Sequence, residues 1–271
     1  SPIGANVRST VATYSGVLDD LRRAFAKTDA ARARGLKAGD FSYNTGSLRC
    51  PSCDGTGQVS LDVQFLPDVD VPCPACGGSR YAREAFEIKR AVSSECFAGR
   101  PESEGLRAVS LPELLAMTVD EARVCVDGMR TAKAKLDVLS DLGLGYLTLG
   151  EATPALSGGE AQRLKLAGEM TRSQENALFV FDEPTIGLHP LDVEVLIGVL
   201  QRLVDKGAVV VAIEHDLDMI ANADYVIDMG PGGGDAGGCI VSCGTPEQVA
   251  ACATSITGRY LREELEEGLS L

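Results

Sequence analysis

The sequence contains no run of about 18 apolar residues, the length a membrane-spanning helix needs. Its first residues also lack the charged-then-apolar pattern of an export signal. Neither a membrane span nor secretion is expected, and the cytoplasm is the expected compartment. An initiating methionine is missing too: the chain opens at Ser1-Pro2, as an excised or processed piece does. There is no internal repeat, heptad seam or low-complexity tract, which sets aside solenoids, coiled coils and disordered tails.

Basic charge is scarce. Against 39 Asp/Glu stand 25 Lys/Arg, giving a formal charge of −14 that argues against a general nucleic-acid binder. The shortage is uneven, because residues 1–50 carry eight Lys/Arg and four Asp/Glu, a net +4, so the remaining 221 residues carry −18. A basic face can come only from the N-terminal part. Its candidates are Arg22, Arg23, Lys27, Arg32, Arg34, Lys37 and Arg49, either as phosphate contacts or as the solvated surface of a helix. Also missing is the loop Gly-x4-Gly-Lys-Ser/Thr that grips the β- and γ-phosphates of a nucleotide. Residues 230–238 are mostly glycine, but without a Lys or a following helix of that kind they read as a turn between strands.

What is present supports a folded protein. At 271 residues and 45% hydrophobic composition the chain can bury a core as one large domain or two small ones. Two devices sit close together in it. Ser157-Gly158-Gly159-Glu160 opens a helix, with Ser157 at the cap and Glu160 where a capping box places it, ahead of Leu164, Leu166, Ala167 and Met170. The glycines admit a ligand close to the backbone, and free N–H groups at the positive end of the helix dipole favour a phosphate. The second device, residues 177–184, is a short apolar run expected as a strand buried on both faces and ending in Asp182 and Glu183. In phosphoryl transfer one such carboxylate holds Mg²⁺ and the next orients and deprotonates the attacking water.

Cysteine supplies a third device. The pairs Cys50/Cys53 and Cys73/Cys76 give C-x2-C-x19-C-x2-C, the spacing of a four-thiolate zinc site, with an iron–sulfur cluster as the alternative. Between the pairs, Val59, Leu61, Val63 and Phe65 alternate with other residues as a strand would. The other cysteines (Cys96, Cys125, Cys239, Cys243 and Cys252) are scattered, and an odd total of nine does not suggest a disulfide framework.

Along the chain, residues 1–13 read as loop, 17–34 as a helix, 84–105 as a linker, and Thr118 to Glu121 as a capping box opening a helix to about residue 127. A further helix is expected over 131–142. Beyond Glu183, a helix over 191–206 is followed by a buried strand over 209–213 and another strand over 225–229. Thr245-Pro246-Glu247-Gln248 caps the next helix, and an acidic helical tail follows from residue 259. Strand, helix and strand joined by short turns suggest a parallel sheet covered by helices, whose ligands collect at the carboxyl ends of its strands. His215 stands at one such end and His189 follows another.

Taken together, SGGE at Ser157 and DEP at Asp182 resemble the signature and Walker B motifs of the ATP-binding-cassette (ABC) ATPases. The wider set is more specific: SPIG at Ser1, ATYSG at Ala12, FSYN before Cys50, FLPDVDVPC at Phe65, LGLGYLTLG at Leu142, DEPTIGLHP, the stretch from Val209 to Gly238, and GTPEQVA. Nearly end to end, this resembles the UvrA family, ABC ATPases of bacterial nucleotide excision repair. The resemblance implies an α/β, P-loop NTPase-like ABC ATPase lobe, a parallel sheet with helices whose Walker A part is missing. It also implies an inserted helical signature subdomain and a zinc-binding module. The expected divisions are 1–110 for the zinc module and its flanks, 111–175 for the signature subdomain, and 176–271 for the Walker B and switch part.

By the same resemblance, Asp182 is the Mg²⁺ carboxylate, Glu183 the catalytic base and His215 the switch histidine. Ser157, Gly158, Gly159 and Glu160 contact the nucleotide of the other cassette, and His189 lies in the loop coupling two ATP sites. The implied cofactors are one structural Zn²⁺, with ATP and Mg²⁺ in the full-length parent. The implied partners are damaged double-stranded DNA, a UvrB-like repair helicase subunit and a second copy in a homodimer. Three departures stand out: Ile186 replaces the usual Thr, Ala5 and Val7 differ in the opening loop, and the family's Q-loop glutamine would precede Ser1. Alone the chain is expected to be a poor ATPase. A transporter cassette has no place for the cysteine module, and a chromosome-structure ATPase would need heptad arms. Two alternatives remain: a non-catalytic zinc-binding fragment that contacts DNA or a partner, and a UvrA-like paralogue serving drug self-resistance.

Overall fold

Local capping decides where most helices begin. The computed structural model describes residues 6–61, 69–92, 108–126, 128–170, 177–186, 188–230, 232 and 237–268. The chain divides into two units, Ser1–Ser173 and Gln174–Leu271. The SPIG tetrapeptide, Val63, Phe65 and Cys96 lie outside the described residues.

In the first unit, the segment expected as loop up to residue 13 already turns into a short helix, α1 (Val11–Tyr14). The Thr13 backbone N–H donates to Thr10 Oγ1 at 3.3 Å and the Thr10 N–H to Thr13 Oγ1 at 2.7 Å, a capping box made by two threonines. Residues 17–34, expected as one helix, are two: α2 (Val17–Phe25) and α3 (Asp29–Ala33). Thr28 causes the break. Its hydroxyl donates to the Phe25 carbonyl at 2.8 Å, closing α2, and accepts the Ala31 N–H at 3.3 Å, opening α3.

Residues 84–92 of the stretch expected as linker form regular structure, and the rest of it lies outside the described residues. After β1 (Gln58–Leu61) and β2 (Val69–Pro72), a 3₁₀ turn at Arg83–Glu87 leads into β3 (Lys89–Ala91), which pairs antiparallel with β4 (Ala108–Ser110). Capping boxes then open α4 (Leu111–Leu115), from Ser110 and Glu113, and α5 (Val119–Cys125), from Thr118 and Glu121. The helix expected over 131–142 is α6 (Arg130–Leu139), continuing as a wider turn through Ser140–Leu144, and α7 (Gly158–Met170) ends the unit. Leu21, Phe25, Leu114, Leu136, Leu139 and Leu142 are fully buried, each stabilising the fold by about 1.5–3 kcal/mol. Asp20, also buried, is compensated by Lys135 Nζ at 2.8 Å and an Arg23 guanidinium nitrogen at 2.5 Å. Cys125 is disulfide-bonded, which the scattered cysteine spacing did not foretell.

In the second unit, β5 (Leu178–Asp182) and β6 (Val209–Ile213) pair in parallel, from Leu178 opposite Val209 to Asp182 opposite Ile213, with α8 (Pro190–Asp205) between them in sequence. After α9 (Leu217–Ala221), β7 (Val226–Gly230) and β8 (Cys239–Gly244) form an antiparallel hairpin rather than further parallel strands. The capping box of Thr245 and Gln248 opens α10 (Pro246–Ala250), and α11 (Ile256–Gly268) follows. Ser255 Oγ and Thr257 Oγ1 donate to the Asp228 carboxylate at 2.6 and 2.8 Å, tying the start of α11 to β7.

The strands β5 and β6 were expected to be buried, and they are not. Leu178 is 64% exposed, Val180 63%, Val209 59% and Ile213 58%. These side chains share one face of the β5–β6 pair, and among the described residues no layer covers that face as it normally does in parallel sheets.

Candidate functional site

The four thiols of the zinc-spaced cysteines converge. β1 and β2 form an antiparallel ribbon from Gln58 opposite Pro72 to Leu61 opposite Val69, and this brings the knuckle before β1 against the knuckle after β2. The two are stitched by Cys73 N–H to the Gly57 carbonyl at 2.9 Å, and the Cys50 N–H reaches the Arg80 carbonyl at 2.9 Å. Cys50, Cys53, Cys73 and Cys76 then place all their sulfurs within 4.8 Å of one another, with Cys53 and Cys76 at 3.8 Å. That fits one ion. Four sulfurs tetrahedrally arranged about 2.3 Å from a zinc stand ~3.8 Å apart.

The turn needs its glycines and one strained aspartate. A Cβ on Gly55 (φ +78°) would land 1.7 Å from the Tyr43 carbonyl oxygen, so no other residue fits there. Asp54 takes φ +51° and is held by Arg8 at 3.0 Å and Arg49 at 2.9 Å. Burial opposes ionisation of the Cys53 thiol, but hydrogen bonds from the Gly57 N–H, Cys50 and the Gly55 N–H outweigh it and bring it down to about 7. Burial pushes Cys76 up to about 12.

The signature residues form a capping box. The Glu160 N–H donates to Ser157 Oγ at 3.3 Å, and the Ser157 N–H to Glu160 Oε2 at 2.6 Å. The Tyr146 hydroxyl donates to the other oxygen, Glu160 Oε1. Although its partial burial works against the charge, these donors lower the pKa of Glu160 below the ordinary value and keep it ionised. Around Gly158 the space is open, since a Cβ there would meet nothing within 4 Å. Helix α7 therefore begins with an accessible backbone, while Glu160 is already occupied in holding that backbone in place.

In the second unit, Asp182 ends β5 and Glu183 follows with φ +45°, its N–H donating to the Ile213 carbonyl at 2.9 Å. His215 stands just beyond β6, and its Nδ1 lies 4.0 Å from Glu183 Oε1, both groups being exposed. The carboxyl ends of adjacent parallel strands thus bring Asp182, Glu183 and His215 together. His189 is placed apart in role. Its Nδ1 accepts the Leu191 N–H at 3.3 Å and caps α8, and its ring is exposed.

Sequence reasoning placed Glu214 at a strand end but gave no role to it or to Thr185. The Thr185 N–H and hydroxyl both donate to the Glu214 carboxylate at 2.8 Å, joining the turns after β5 and β6. The one available signal was a carboxylate next to His215 at a strand end.

Among the basic candidates, Arg22 pairs with Asp19 at 3.0 Å, Arg23 with Asp20 at 2.5 Å, Arg34 with Glu87 at 2.7 Å and Arg49 with Asp54 at 2.9 Å. Lys27, Arg32 and Lys37 are exposed, and no ion pair engages Lys27 or Arg32 among the described residues.

No protein-family model matches the chain. It is 47% identical over 267 residues to UvrABC system protein A of Staphylococcus aureus (strain COL) and to that of Bacillus subtilis (strain 168), matching 98% of this chain and 26% of each relative. Among solved structures, UvrA2 from Deinococcus radiodurans superposes with a TM-score of 0.82 at 44% identity, over 97% of this chain and 30% of that one. The chain spans about a quarter of the length of the curated relatives it matches.

Proposed function

Because this chain is UvrA-like over nearly its entire length, we propose that it supplies the zinc-binding, signature and Walker B parts of an ABC-type ATPase that recognises damaged DNA in nucleotide excision repair. Its fold is the α/β, P-loop NTPase-like kind expected of that family. The observation that carries the reading is the meeting of Asp182, Glu183 and His215 at the carboxyl ends of β5 and β6, with Glu183 and His215 at 4.0 Å.

In this reading Asp182 would hold Mg²⁺, which would supply charge to the phosphates, and Glu183 would orient the attacking water and take its proton. His215 contacts the γ-phosphate and senses its loss. The open start of α7 at Ser157, Gly158 and Gly159 binds the γ-phosphate of a nucleotide held by a second cassette, with Glu160 fixing the backbone for that task. The exposed ring of His189 lies on the coupling loop between two ATP sites. Walker A residues come from outside this segment.

Cys50, Cys53, Cys73 and Cys76 hold one Zn²⁺. Four thiolates leave no open position on the ion, so its role is to hold the two knuckles together. The geometry of the sulfurs supports the assignment. The partners of the full-length protein are damaged duplex DNA, a UvrB-like helicase subunit and a second copy of itself, and its compartment is the cytoplasm. The coupling is tested by ATP hydrolysis of the full-length protein with undamaged and lesion-bearing duplex. Hydrolysis that responds to the lesion is expected, and hydrolysis indifferent to DNA of either kind would overturn the coupling.

A further inference from the structure

We infer that Glu214 is a positioning residue for hydrolysis, setting the placement of Glu183 and His215 through a clamp on Thr185; this rests on the ATPase reading above. Glu214 is the first residue after β6, and its carboxylate gathers donors from two turns. Oε1 accepts the Thr185 N–H at 2.8 Å, and Oε2 accepts the Thr185 hydroxyl at 2.8 Å and the His215 N–H at 3.1 Å. The Asp216 N–H also points to Oε2, at 3.5 Å.

A carboxylate offers about four lone-pair sites, two on each oxygen; these donors fill Oε2 and take one of the two on Oε1. Most of the acceptor capacity of Glu214 is therefore engaged in holding the two turns, although it sits beside residues suited to hold a metal or take a proton. Its chemistry is spent on geometry. Thr185 is buried and lies two residues beyond Glu183, and the intervening Pro184 is buried as well. Glu183 itself occupies the left-handed region at φ +45°, a conformation that a residue with a side chain keeps only when its surroundings impose it. Two restraints do so. The Glu183 N–H is bound to the carbonyl of Ile213, the residue just before Glu214, and the chain after Glu183 is held by Glu214 through Thr185. The same carboxylate holds the backbone of His215. One side chain thus fixes the bases of both side chains that meet at 4.0 Å.

The test is steady-state ATP hydrolysis by the full-length protein carrying Glu214→Gln, Thr185→Val, Thr185→Ser, the Gln/Val double variant, and Glu183→Gln. Glu214→Gln keeps the shape but turns one acceptor into a donor that faces Thr185. It should lower kcat by roughly 10- to 100-fold, the scale expected for a misplacement of about an ångström, with the KM for ATP and Tm little changed. Thr185→Val should lower kcat in the same direction and Thr185→Ser should retain it. The double variant should be no slower than Glu214→Gln alone, because both changes break one clamp.

A role in folding alone would lower Tm and leave kcat per folded molecule unchanged, which would overturn the inference. Multiplicative losses in the double variant would overturn it too. Should Glu214→Gln fail to fold, the contrast between Thr185→Val and Thr185→Ser decides, and equal kcat in those two sinks the clamp. Full activity of Glu214→Gln beside an inactive Glu183→Gln removes the clamp and leaves the ATPase reading standing; full activity of both removes that reading as well.

Discussion

Cys53 Sγ and Cys76 Sγ stand 3.8 Å apart although they lie 23 positions apart in the chain. The β1–β2 ribbon closes that distance, and the spacing matches the edge of a zinc–thiolate tetrahedron, about 3.8 Å for bonds of about 2.3 Å. Metal analysis of protein purified without chelator should give about one zinc per chain. Replacing either Cys53 or Cys76 by Ser should lower that content sharply and weaken the fold around the ribbon. Because the ligands must be thiolates, protons compete with the metal, so affinity should fall as the pH is lowered. A metal-free protein, or an iron–sulfur absorption band, contradicts the assignment.

Strands β5 and β6 expose Leu178, Val180, Val209, Val211 and Ile213 on the second unit. Beside them a groove of about 920 Å³ is lined by Ile197, Leu200, Val204, Val210, Met219 and Ile227. Contiguous apolar surface of this kind drives association. The isolated 271-residue chain should bind a hydrophobic reporter dye and self-associate as its concentration rises. Val180→Lys with Val211→Lys should reduce both effects with little loss of stability, since both side chains are exposed. A strictly monomeric chain that ignores the dye would contradict the exposed face.

Reversing Lys27, Arg32 and Lys37 together should weaken DNA binding by the full-length protein. It should also flatten the dependence of binding on salt, by a slope of about one for each phosphate no longer neutralised. Arg22, Arg23, Arg34 and Arg49 have acidic partners, so reversing them should mainly disturb local structure. Unchanged affinity and salt slope after the triple reversal would place the DNA surface elsewhere.

Short-range chemistry made much of this legible in the sequence. A capping box declares itself within four residues, and those at Thr118, Ser157 and Thr245 are where the sequence puts them. The paired cysteines likewise announce a common centre, because two residues between thiols suit only a few geometries. What escaped depends on which partner a side chain takes, whether near or far in the chain. Thr28 looks like any helical threonine until its hydroxyl is found on Phe25. The bond between Thr185 and Glu214 spans 29 positions and belongs to no spacing pattern. Apolar runs mark β5 and β6 as strands correctly, yet a run cannot say whether the layer that would cover it lies within the same segment.

The central claim is that the Asp182–Glu183–His215 corner performs ATP hydrolysis. It is tested most directly by measuring hydrolysis and nucleotide binding together in the full-length protein, with and without Glu183→Gln. Replacing the carboxylate by an amide keeps the shape of the corner and removes the base. The account predicts retained ATP binding with hydrolysis slowed roughly 10²- to 10⁴-fold. Hydrolysis at the unsubstituted rate in Glu183→Gln, with binding intact, would contradict it.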